Sequence, residues 1–143
     1  MNRDEQIAAK VEAVYRWIEA EIERAAAHPR PCGQCGRCCD FEAFDHRLYV
    51  TSAELAHFTS RTRLAIPPSA GPRCPWNIDG HCDVHPYRFA GCRIFSCTGD
   101  PQVQARITEQ ALQQLKRTCE QSGLPYRYVN ILCAGANPRE AIR

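Results

Sequence analysis

Residues 4–27, DEQIAAKVEAVYRWIEAEIERAAA, set the fold class. Ile7, Val11, Val14, Ile18, Ile22 and Ala25 recur there at steps of four, three, four, four and three, which is one stripe of an α-helix. Such a helix is about 36 Å long at the usual rise per residue. His28-Pro29 ends it, because the residue before a proline avoids the helical region. Tyr15 and Trp17 widen the apolar face, so the helix needs a packing partner. A second helix, from Pro101 to about Gln121, supplies one: Val103, Ile107, Ala111, Leu115 and Cys119 recur every four residues, with Leu112 beside them. Pro101 suits its first turn, and Gly123 with Pro125 closes it. The pattern predicts a mainly α fold in which two long helices pack on each other and clamp the middle of the chain.

That middle, roughly residues 30 to 100, has few long apolar runs and is rich in Cys, Pro, Gly and charge, so hydrophobic burial alone does not order it. Thr51-Ser52-Ala53-Glu54 is a capping-box pattern that opens a short helix through Leu55 and Phe58. Leu48-Tyr49-Val50 before it reads as a short strand. Asp79-Gly80, between Ile78 and His81, predicts a tight β-hairpin that draws Cys74 and Cys82 toward each other. At 143 residues the chain is read as one domain, 1–143: an N-terminal helix over 1–28, an irregular cysteine-rich region over 32–97 and a C-terminal helix over 101–122.

The chemistry lies in the cysteines. Cys32-Gly33-Gln34-Cys35-Gly36-Arg37-Cys38-Cys39 is followed by Cys74, Cys82, Cys92 and Cys97, which together make eight of the ten cysteines. A C-x-x-C step turns the backbone so that both sulfurs face one metal, and Gly33 and Gly36 permit that turn. A site built of thiolates favours zinc or an iron–sulfur cluster over oxygen-loving cations. Structural zinc sites usually pair one C-x-x-C with another or with a histidine pair; here the second half has wide, unequal intervals and no second knuckle. The C-x-x-C-x-x-C start resembles a ferredoxin run, which points to an iron–sulfur cluster, 4Fe-4S, with zinc as the alternative. Eight sulfurs fill two four-thiolate sites, or one with thiols to spare. Arg37, Arg73 and Arg93 stand beside cysteines and are read either as counter-charges to a negative site or as surface arginines. His81 and His85 flank Cys82 and are lesser candidate ligands. Cys119 and Cys133 are read as small buried hydrophobes.

These residues resemble the C-x-x-C-x-x-C-C cysteine-cluster family, described as zinc- or iron-chelating and as iron–sulfur-containing proteins. The resemblance runs from Cys32 to about Cys97 and includes the Thr51–Glu54 helix start, Cys74-Pro75-Trp76, Asp79-Gly80, Cys82, Arg88, Cys92-Arg93 and Phe95. This chain has His85 where the family tends to have tyrosine, and Arg88-Phe89 where it tends to have Arg-Pro. The ligand set stays intact. A larger relative looks like a flagellin lysine methylase, so the resemblance leaves a methyl-transfer or redox enzyme open.

The formal charge of +2, with Lys and Arg scattered, does not point to nucleic acid. No apolar run approaches a membrane span. The charged start leads straight into a helix with no apolar export segment, so a cytoplasmic location is expected, where thiols stay reduced and read as metal ligands rather than disulfides. No glycine loop for phosphate, nucleophile elbow or framed acid–base pair is present, and no substrate follows. Three functions are therefore carried forward. They are an iron–sulfur protein for electron transfer, sensing or metal handling with a redox or client protein as partner, a zinc-stabilised binding module, and a metal-dependent enzyme.

Overall fold

The computed structural model describes residues 2–25, 48–66, 74, 76–78, 81–95 and 99–131. The chain is mainly helical. Helix α1 spans Arg3–Ala25. Asn2 Oδ1 accepts from Glu5 N at 2.8 Å to close its first turn, where Asp4 and Glu5 suit the positive end of the helix dipole. The helix buries Ile7, Ala8, Val11, Val14, Tyr15, Ile18 and Ile22, the stripe its spacing predicts. Helix α4, Pro101–Ser122, is capped by Asp100, whose carboxylate accepts from Gln102 N, and ends at Gly123 with φ 68, a left-handed conformation that glycine adopts at little cost. It buries Ile107, Ala111, Leu115, Thr118 and Cys119.

Between them, β1 (Tyr49–Thr51) leads directly into α2 (Ser52–Thr62). The capping box forms in full, with the Thr51 side chain accepting from Glu54 N and the Glu54 side chain accepting from Thr51 N. A hairpin of β2 (Asn77–Ile78) and β3 (His81–Cys82) pairs Asn77 with Cys82 and Ile78 with His81. Asp83 N donates to Trp76 O at 2.9 Å and prolongs it. The predicted turn residues Asp79 and Gly80 lie outside the described residues. A 3₁₀ turn, His85–Tyr87, and the short α3, Ala90–Ile94, follow. After α4, strand β4 (Tyr128–Asn130) returns to pair antiparallel with β1, setting Val50 opposite Val129.

The described side chains bury two apolar clusters. In the first, α1 packs on α4 across Ile7, Val11, Ile18, Ile107, Leu115 and Cys119, with Ala53 of α2 and Ala90 and Ile94 of α3 completing it. The two long helices thus meet as expected, and the middle of the chain reaches them through α2 and α3. The second lies on the far side of α2: Leu48, Val50, Phe58, Cys74, Trp76, Val84, Phe89, Val129 and Ile131. Phe58, Trp76 and Phe89 form its aromatic centre, with ring centroids 4.5, 5.3 and 6.1 Å apart. Among the described residues no helix is long and apolar enough to cross a membrane.

Candidate functional site

Of the eight cysteines expected to bind metal, Cys32, Cys35, Cys38, Cys39 and Cys97 lie outside the described residues, as do Arg37, Arg73 and Cys133. The other three lie on one apolar cluster. Cys74 is buried in it, immediately before the hairpin, while Cys82 on β3 and Cys92 in α3 are half-buried against it. The hairpin register sets Cys82 opposite Asn77, and Cys74 lies before the start of β2; the two cysteines share a cluster without facing each other across the ladder. Among the described residues no group of three or more His, Cys, Asp or Glu is gathered closely enough to hold a metal ion. A centre using Cys74, Cys82 and Cys92 would therefore draw further ligands from the Cys32–Cys39 string or from Cys97. By residue type these thiols are soft donors of the kind that zinc and iron–sulfur clusters take.

The flanking polar groups are committed elsewhere. His85 faces the Arg88 guanidinium through Nε2, and partial burial followed by the charges of Arg88 and Arg93 lowers its pKa. Its neutral lone pair at Nε2 thus accepts from Arg88 instead of facing a metal. His81 lies on β3. Arg93, one residue after Cys92, turns its guanidinium to α1. It stacks on the Tyr15 ring at 4.2 Å, reaches Glu19 at 3.3 Å, and donates through Nε to Arg88 O and through Nη2 to Pro86 O. Successive helical residues are rotated by roughly 100°, and the described partners of the Arg93 guanidinium are Tyr15, Glu19 and the carbonyls of Arg88 and Pro86.

Beneath α3 lies a group that sequence reading took only as a helix cap. Glu54 is 1 % exposed, and four donors converge on its carboxylate. Tyr15 OH donates to Oε1 at 3.1 Å and Ala90 N at 2.6 Å; Thr51 N donates to Oε2 at 2.9 Å and Thr51 Oγ1 at 3.1 Å. Burial pushes the Glu54 carboxyl pKa up, and the bonds from Ala90, Thr51 and Tyr15 oppose that shift. Burial and the Glu54 charge push the Tyr15 phenol well up, which keeps it a neutral donor. The capping-box spacing made the Thr51 bond legible; Tyr15 and Ala90 are 39 and 36 residues away and left no local signal.

On the same side of α1, Glu12 links the buried His57 at 3.3 Å and Arg61 at 3.0 Å, and Arg61 also grips Glu5. Burial lowers the His57 pKa against the pull of Glu12, while the Arg61 bond holds Glu12 low. An open cleft of about 430 Å³ lies between α1 and the 3₁₀ turn, lined by Glu12, Tyr15, Glu19, His57, Tyr87 and Arg93. Its carboxylates are already paired with arginines of the chain.

The chain matches no family model, no curated protein and no solved structure.

Proposed function

We propose that this is a metal-binding protein whose cysteines hold an iron–sulfur cluster, serving electron transfer, sensing or metal handling. The ligands come from Cys32, Cys35, Cys38, Cys39, Cys74, Cys82, Cys92 and Cys97. The reading is supported chiefly by the spacing of the Cys32–Cys39 string, and Cys74, Cys82 and Cys92, from a loop, a strand and a helix, border one apolar cluster without by themselves closing a metal site among the described residues. The string at Cys32–Cys39, its likeness to the C-x-x-C-x-x-C-C proteins and the lack of a second zinc knuckle favour a cluster over a lone ion. When bound, such a cluster supplies one-electron transfer; the protein supplies the thiolates and the apolar wall that sets their dielectric.

Serine substitution tests this residue by residue. Cys35→Ser, Cys38→Ser and Cys92→Ser should each lower the metal recovered with purified protein, while Cys119→Ser should leave it unchanged, because Cys119 sits in the other cluster beside Ser52 Oγ at 3.6 Å. Metal content indifferent to all four substitutions would overturn the assignment.

A further inference from the structure

We infer that Glu54 is a positioning residue for the metal site, its buried carboxylate holding the start of α3, and with it Cys92, against the frame made by α1 and α2. This rests on the reading of Cys92 as a ligand. Helix α3 has only five residues, and a helix that short does not persist without external ties. Its own N-cap, Phe89, makes no side-chain capping bond. The Ala90 N–H instead finds its acceptor on α2, at Glu54 Oε1. An ordinary capping-box glutamate needs only the N–H of the cap residue; this one also spans to α3 and, through Tyr15 OH, to α1.

The residues around Cys92 are fixed in the same way. Ala90 is held by Glu54. A Cβ on Gly91 would lie 2.6 Å from Leu48 Cδ1, so the α3 backbone rests directly on the entry to β1. Arg93 covers the face of Tyr15, the ring whose hydroxyl donates to Glu54, and pairs with Glu19. Cys92 therefore sits in a segment tied on both sides to one Tyr15–Glu54 unit, an arrangement that fixes a ligand before metal arrives.

Glu54→Gln tests the assignment. Each carboxylate oxygen accepts from one hydroxyl and one backbone N–H, so an amide with its oxygen toward Thr51 confronts Ala90 N with NH₂, and one turned the other way leaves Ala90 an uncharged acceptor and breaks the Thr51 tie that orients it. Ala90→Pro provides an independent route: it removes the Ala90 N–H and sets the ring Cδ in its place against Glu54 Oε1, which forces the carboxylate away from α3, at a first helical position that tolerates proline and after a Phe89 already extended at φ −76, ψ 165. In metal-free protein, the iodoacetamide alkylation rate at Cys92 is read by mass spectrometry against that of the buried Cys119 in the same molecules. Both variants should speed Cys92 by about tenfold and leave Cys119 unchanged, as expected for losing one charge-assisted hydrogen bond from a local opening equilibrium. Zn²⁺ affinity, measured by chelator competition, should weaken in parallel. Tyr15→Phe keeps the Ala90 bond and should leave the Cys92 rate near wild type. Cys92 unchanged, or rising only in step with Cys119, would overturn the positioning role. Selective speeding of Cys92 in a chain whose wild type binds no metal would show instead that the metal reading is what fails.

Discussion

Replacing Phe58 with alanine should lower folding stability by about 4 kcal/mol. Phe58 is fully buried at the centre of the aromatic group, its ring 4.5 Å from Trp76 and 5.3 Å from Phe89. Truncating a buried phenylalanine typically costs about 3–5 kcal/mol, from lost transfer energy and from the cavity left behind. The ring pairs place this site in the middle or upper part of that range, since aromatic contacts contribute beyond area burial. Domains are stable by only about 5–15 kcal/mol, so the loss is a large fraction of the whole. For a chain of this length it corresponds to a fall in Tm of roughly 12–20 °C. Urea unfolding is the assay, followed by helical circular dichroism and by fluorescence in a Trp17→Phe background that leaves Trp76 as the reporter. The midpoint should drop with the slope unchanged, and both signals should move together. A loss below about 1 kcal/mol would refute the packing described for the second cluster, because no fully buried ring at a close-packed site is that cheap to remove.

Three other outcomes follow from the same geometry. His57 has a folded-state pKa below its ordinary value of 6.5, so the unfolded chain takes up the proton first; stability should fall as pH drops from about 6.5 through the lower folded value. Subtracting the urea midpoints of His57→Gln from those of wild type across that window isolates this contribution, and a difference that does not vary with pH would refute it. Thr51→Ala removes both the N-cap acceptor of α2 and one donor to Glu54, and thermal melts should show a cost of about 1–2 kcal/mol. Gly91→Ala drives a methyl group into Leu48 and should cost about 1–3 kcal/mol; Leu48→Ala in the same chain should offset part of that cost, and strict additivity would rule out the contact.

The long helices were legible because their apolar residues recur at helical spacing over many turns, and Asp100, Pro101 and Gly123 mark the limits of α4. The capping box and the Asp-Gly hairpin are local devices that act within a few residues, so they too could be read directly. Helix α3 could not: Ala90-Gly91-Cys92-Arg93-Ile94 is too short to carry a period, and its hydrogen-bond partner lies on α2. Strand β4 was missed for a similar reason, since Tyr128–Asn130 is defined by pairing with β1 from far along the chain. At the candidate site, the cysteines announced themselves by residue type and spacing. Glu54 did not, because its sequence signal is accounted for by capping, and only the approach of α1 and α3 turns that cap into a buried junction. Arg93, a neighbour of Cys92 in sequence, also reaches α1 in space through Tyr15 and Glu19, a contact that no local pattern announces.

The central claim is tested most directly by analysing iron, zinc and acid-labile sulfide, together with a visible spectrum, on protein purified without oxygen. The account predicts iron with matching sulfide and a broad visible absorption that bleaches on reduction. Protein that carries neither iron nor sulfide, and does not take them up on anaerobic reconstitution, would contradict it; stoichiometric zinc in their place would make the cysteine cluster the structural core of a binding module.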